Sequence, residues 1–269
     1  MCVLCAVFLV SSALLLRQWK DNAGGETAYD DAMNLALSAP EPEKPAAETR
    51  MPDVPAEEPA APVMRWVPVP VEDDPAAEEL RSINLQALRE VNPDVLGWLR
   101  IPDTKIDYPL MQGSDNDFYL QHTWDKQPNS VGSIFLEHLN SSDLTDYTTI
   151  IYGHNMRNDS MFGELENFAV QSFWKEHPYV YVLTDAGVYR YEIFTFFLAD
   201  VESLTYSINP KQDDTKTEFL NLSLEKSRIN TGIKPALTDR IMTLSTCSGG
   251  SYANRYVVQA RLPMMEVAE

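Results

Sequence analysis

The sequence predicts a mainly β domain, closed or nearly closed into a barrel, and three observations predict it. Short apolar or alternating runs recur from residue 101 to the end, as strands do. Few helical patterns interrupt them, and the links between them are irregular. The last two runs then form a closing hairpin. Ile241 to Thr246 alternates apolar and small polar residues, and Tyr256, Val258, Ala260 and Leu262 share one face of the next run. The Ser248-Gly249-Gly250-Ser251 stretch between them is turn chemistry. Such a hairpin sets Cys247, at the end of one strand, beside Arg255, at the start of the other. A thiol next to a fixed guanidinium suggests a nucleophile with a charge stabiliser.

Composition divides the 269 residues. Residues 21 to 80 hold 15 acidic against 3 basic residues, −12 of the net −19, and are rich in Ala and Pro. Most of the aromatic and β-branched residues lie beyond them, so the core belongs there. The expected organisation is a membrane signal-anchor over 1–20, an acidic Pro/Ala-rich and largely disordered linker over 21–79, and a catalytic domain over 80–269. An acidic chain without a basic stripe argues against nucleic-acid binding.

Val3 to Leu16 is the long apolar run, shorter than the ~20 residues that comfortably span a bilayer. Arg17, Gln18, Trp19 and Lys20 follow directly in place of a small-residue cleavage site, so the reading is an uncleaved single-pass anchor with Trp19 at the interface. Arg17 and Lys20 fall on its outer flank; the expectation is that basic residues precede Met1 in a longer chain. Cys2 and Cys5 are read as membrane residues. Cys247 is then the lone thiol of an extracytoplasmic domain, without a disulfide partner.

In chain order, the prolines of residues 40–75 favour extended polyproline geometry, at ~3.1 Å per residue. Asp74-Pro75 starts a helix whose apolar face is Leu80, Ile83, Leu88 and Val91. Ile106 to Leu110 reads as an edge strand because of Pro109. Asn116 to His122 makes one or two helical turns. Ser133 to Leu136 and Thr148 to Tyr152 are short strands, and the second delivers His154 at a strand mouth. Met161 to Trp174 is helical. Tyr179 to Leu183 and Val188 to Ala199 form a hairpin, and Thr215 to Arg228 is a helix between strands.

A thiol of pKa ~8.5 needs a base or a cation beside it at neutral pH. Of the four histidines, His177 is expected at the surface and His122 at the end of a short helix. His154, flanked by Gly153 and Asn155, leads as the base, with His138 as its rival. No two histidines or cysteines stand at metal-ligand spacing, and no phosphate-cradling glycine loop is present, so neither metal nor cofactor is expected.

Thr243-Leu244-Ser245-Thr246-Cys247, Arg255 in Asn254-Arg255-Tyr256-Val257-Val258, and Tyr152-Gly153-His154 resemble the sortases of class B. So do Gly132-Ser133-Ile134-Phe135, Asp107-Tyr108-Pro109 with Gln112-Gly113, Met161-Phe162 with Glu164-Leu165, and Thr238-Asp239-Arg240. The resemblance runs from about Leu80 to Leu262. It implies an eight-stranded sortase-type barrel with N-terminal helices and a helix inserted before the last two strands. It also implies a cysteine transpeptidase at the cell membrane, its catalytic domain extracytoplasmic. Cys247 would attack the threonine carbonyl of a sorting signal on secreted surface proteins, and a peptidoglycan precursor amine would take the acyl group. His154 would move the protons and Arg255 would hold the oxyanion, with a thiolate–imidazolium minority as the working form. Asn116, Leu120, Ser245 and Tyr206 would line the sorting-signal groove. A pilus-polymerising sortase and a cysteine peptidase releasing free acid are the alternatives.

Overall fold

In the computed structural model, residues 2–38, 64–247 and 253–268 are described, without the side chains of residues 2–10, Ala13 and Cys247. Helix α1 (Cys2–Ser38) is followed by strand β1 (Met64–Pro68) and two short helices, α2 (Pro75–Arg81) and α3 (Leu85–Val91). Strands β2 (Val95–Arg100), β3 (Asp107–Met111), β4 (Ile134–Leu136) and β5 (Thr148–Tyr152) come next, then α4 (Gln171–Glu176). The hairpin β6 (Tyr179–Thr184) and β7 (Gly187–Asp200) precedes α5 (Asp213–Lys226), and β8 (Arg240–Cys247), β9 (Asn254–Leu262) and β10 (Met264–Ala268) end the chain. Eight strands close a barrel in the order β2-β3-β4-β5-β8-β9-β7-β6, as expected, with α5 inserted before β8 and β9.

Two pairs in the wall, β3–β4 and β5–β8, are parallel, and the rest are antiparallel. The barrel interior is filled by Leu99, Leu110, Ile151, Val182, Ile193, Leu244 and Val258, all fully buried. Helices cover much of the outside. Phe219 and Leu220 of α5 pack on Phe194 and Ile241, while Leu80 and Leu88 of α2 and α3 pack on Trp98 and Tyr181. Each fully buried large apolar side chain contributes roughly 1.5–3 kcal/mol. Covering both faces explains why Ile241 to Thr246 is buried throughout, its polar residues included.

Several expectations need correction. The single helix expected from Asp74 to Asn92 is two, each with its own cap. Asp74 accepts from the Ala76 and Ala77 amides at 3.1 and 3.4 Å with Pro75 at the first helical position, and Asn84 accepts from Ala87 N at 3.0 Å. Val91, expected on the apolar face, is exposed. Strand β3 lies inside the barrel and is no edge, yet it keeps Pro109: the ladder to β4 starts only at Leu110, so the missing N–H falls where that side is unpaired. Met161 to Trp174 is a 3-10 stretch, Gly163–Ala169, followed by α4. His177 is buried, its Nδ1 2.9 Å from the Pro102 carbonyl oxygen.

Of the expected linker 21–79, residues 39–63 lie outside the described residues. The remainder is structured. The second half of α1 packs on the barrel through Gly25, Tyr29, Ala32 and Ala36, and three of these four are too small to raise an apolar signal in the sequence. Strand β1 pairs antiparallel with β10, Trp66 opposite Glu266, in a separate two-stranded sheet whose Pro68 sits at a strand end. Among the residues whose side chains are described, no helix is long and apolar enough to cross a membrane. Most of the Val3 to Leu16 run expected to do so has its side chains outside that set.

Candidate active site

Strand direction assembles the site. Because β5 and β8 are parallel, with Thr148 level with Ile241 and Tyr152 level with Ser245, the chain leaves both strands at one end, His154 two residues past Tyr152 and Cys247 two residues past Ser245. Because β8 and β9 are antiparallel, Cys247 pairs directly with Arg255. Three residues separated by up to a hundred positions thus meet at one rim of the barrel, the place of Cys247 being set by its backbone.

The chain turns off β5 at Gly153, where no side chain fits. A Cβ there would stand 2.5 Å from Ile134 Cδ1 and 2.8 Å from the Phe162 ring. That closeness draws the following residue, His154, in against the barrel mouth. Its Nε2 lies 2.6 Å from the Leu120 carbonyl oxygen. A carbonyl can only accept, so Nε2 carries the hydrogen and Nδ1 is left for proton traffic. Leu120 is held in turn by the 3-10 turn Phe118–Leu120, started by Asp115, whose carboxylate accepts from the Asp117 and Phe118 amides at 2.9 Å each. Those two bonds hold the Asp115 carboxyl below the usual carboxylate range.

A cavity of about 520 Å³ opens on this rim, lined by His154, Arg255, Asn116, Leu120, Ser245 and Tyr206 among others. Every described member of the expected site therefore faces one cavity. Tyr206 Oη and Ser245 Oγ are hydrogen-bonded at 2.8 Å, which ties the loop after β7 to the strand that ends in Cys247. Asn116 donates from Nδ2 to Glu137 Oε2 at 2.6 Å and accepts from the His138 amide at 3.0 Å. Arg255 donates from Nη1 to the Asn254 carbonyl at 3.1 Å, and on β9 it stands between Ala199 of β7 and Cys247 of β8.

The sequence reading missed Glu137 and Tyr152 as cavity residues. Glu137 is 5 % exposed and accepts from Tyr152 Oη at 2.9 Å as well as from Asn116. Burial, and then this carboxylate, push the Tyr152 hydroxyl well above its usual pKa, so it stays a donor. The signal for Tyr152 was its place at the end of β5, where the chain turns off towards His154. Thr246 also lines the cavity, and its buried Oγ1 has no hydrogen-bond partner among the described residues.

The other histidines are engaged elsewhere. His138 Nδ1 pairs with Glu137 Oε1 at 2.8 Å and does not line the cavity. His122 stacks on Phe118 at 3.9 Å. No group of three or more metal-ligating side chains occurs among the described residues.

The family model of the Sortase domain matches residues 99–263. Sortase B of Listeria monocytogenes is 36% identical over 183 residues, 66% of this chain and 73% of the relative. Among solved structures, the Staphylococcus aureus sortase B–substrate complex is 30% identical, with a TM-score of 0.63 over 68% of this chain and 85% of that one. Sortase B from B. anthracis is 26% identical, with a TM-score of 0.70 over 92% of this chain and all of its own (100%).

Proposed function

The chain belongs to the sortase family, in its class B, and is a cysteine transpeptidase; on that premise we propose that it cleaves a C-terminal sorting signal after threonine and joins the protein to a peptidoglycan amine. The observation that supports the reading is that His154 and Arg255 line one cavity while Cys247 stands opposite Arg255 in the β8–β9 ladder. In the first half-reaction the Cys247 sulfur attacks the threonine carbonyl carbon. Arg255 donates to the oxyanion that forms, with a charge that persists at any working pH. The C–N bond then breaks, His154 Nδ1 delivers a proton to the departing amine, and a thioester remains. In the second half-reaction the acceptor amine attacks the thioester, His154 takes its proton, and Cys247 leaves as the thiolate, which restores the thiolate–imidazolium pair that began the first half-reaction.

The likeness to the S. aureus sortase B–substrate complex supports a sorting-signal groove in this chain, and Asn116, Leu120, Ser245 and Tyr206, which line one cavity, are proposed as its walls. Residues 1–20 are proposed as the anchor and the barrel as an extracytoplasmic domain at the cell wall. The continuity of α1 from Cys2 to Ser38 supports a stiff connection between the two. The test incubates the full chain with quenched fluorogenic sorting peptides, with and without an amine acceptor. Product joined to the amine is the expected result, and Cys247→Ala abolishes it. Free acid as the sole product in the presence of the amine contradicts transpeptidation and describes a peptidase.

A further inference from the structure

The rim that holds His154 is itself held from behind by α1. The segment 119–133 wraps the imidazole on two sides. Leu120 gives its carbonyl to Nε2, and Gly132 runs so close that a Cβ there would stand 3.0 Å from His154 Cδ2 and 2.8 Å from the Leu120 oxygen. Gly132 has φ of +65°, the left-handed region that glycine enters without cost. The two arms of the wrap are joined to each other, Ser133 N donating to the Tyr119 carbonyl at 2.8 Å.

This wrap is fastened to α1 at several points. Tyr29 donates from its hydroxyl to the Gly132 carbonyl at 2.5 Å and lies 3.2 Å from Ser133 Oγ, which itself donates to the His122 carbonyl at 2.8 Å. Asp21 accepts from Ser130 Oγ at 2.8 Å, and its carbonyl accepts from Asn129 Nδ2 at 3.0 Å. Gly25 meets Val131 so tightly that a Cβ would fall 2.8 Å from its side chain. A second cavity, of about 450 Å³, runs between α1 and the wrap, with Arg17, Asp21, Leu120, Gln121, Asn129 and His154 among its walls. His154 therefore lines two cavities, with Leu120 and Gly132 of the wrap against its ring.

We propose that Tyr29 is a positioning residue for the transpeptidation: its bond to Gly132 holds the wrap against His154, and so holds the Nε2–H···Leu120 bond that leaves Nδ1 for proton traffic. Burial pushes the Tyr29 hydroxyl well above its usual pKa, so it donates throughout the working range. The ring has its own support in the edge-on contact with Tyr108 at 5.0 Å, so loss of the hydroxyl alone leaves α1 seated. The inference rests on His154 as the acid–base group.

The test compares full-length protein with Tyr29→Phe, labelled with nitrogen-15 at histidine, the His154 ring signals being assigned by their loss in His154→Gln. Wild type is expected to show the Nε2–H tautomer. Tyr29→Phe is expected to show mixed ring tautomers, kcat lowered about tenfold, KM for the sorting peptide within about twofold, and a displaced histidine limb in the pH profile. Asp21→Ala, which removes the carboxylate that Ser130 donates to, is expected to move the same readouts less, and it decides the matter if Tyr29→Phe does not fold. Unchanged His154 ring signals in the folded variant overturn the inference, whatever happens to melting temperature. If His154→Ala keeps turnover, the acid–base reading falls instead, which separates the two failures.

Discussion

His138 and His154 each follow a short strand of the barrel wall, and they end in different chemical worlds. β4 and β5 are antiparallel, Phe135 opposite Tyr152, so the chain leaves the two strands at opposite ends of the pair. β5 and β8 are parallel, so the chain leaves them at the same end, which is where His154 and Cys247 both lie. His138 emerges against Glu137 and is paired with it at 2.8 Å. Local sequence around the two histidines is similar in kind, a strand followed by a loop. Strand direction, a property of the whole sheet, separates them.

That contrast can be broken or sharpened by substitution. His154→Ala is expected to lower kcat by ~10³-fold or more, at the upper part of the range for a lost general acid–base group, measured by amine-joined product from a fluorogenic peptide. Arg255→Lys is expected to lose ~10²-fold in kcat although charge is kept, because one ammonium cannot copy the planar fork at the oxyanion. If it performs like the parent, the oxyanion role is wrong. His138→Ala is expected to change kcat by less than about threefold, as for a substitution away from the chemistry. A large loss there, with His154→Ala tolerated, reverses the assignment of the base.

The smallest expected effect lies on the far side of the barrel, where Asp74 caps α2 and accepts from Tyr181 and Arg190 at 2.8 and 3.0 Å. Burial alone would raise its carboxyl, but these bonds and the Ala77 amide outweigh it and hold the pKa below the usual range. A depressed folded pKa contributes stability above the unfolded value of ~3.9, lost as pH falls through the folded one. Asp74→Ala is therefore expected to cost about 1 kcal/mol at pH 7 and progressively less as pH falls below ~3.9 and through the lower folded value, measured by urea unfolding, with kcat unchanged. An equal cost at every pH would remove the carboxylate from the explanation.

The final hairpin was legible because alternation fixes the strands and a Gly/Ser run fixes the turn. That reading put Cys247 opposite Arg255, as the register has it. The meeting with His154 was not legible from spacing, since no local pattern says that β5 and β8 run parallel; the family resemblance supplied it. Helix α1 was hidden because its contact stripe is Gly25, Ala32 and Ala36, whose burial is complete or nearly so but whose apolar signal is slight. The pairing of β1 with β10 joins residues two hundred positions apart across a Pro-rich stretch, which composition alone marks as extended spacer. Gly132 and Gly153, by contrast, stood in the resemblance as plain motif residues. Their reason is steric, one running beside the His154 ring and the other against Ile134 and Phe162.

The most direct test of the shared rim is intact-mass analysis of the full chain held with sorting peptide in the absence of acceptor. The account predicts one added mass equal to the peptide up to its threonine, on Cys247, formed far more slowly in His154→Ala, and discharged on adding an amine with the acyl group recovered on that amine. An acyl group found on another residue, or one formed at the parental rate without His154, would contradict it.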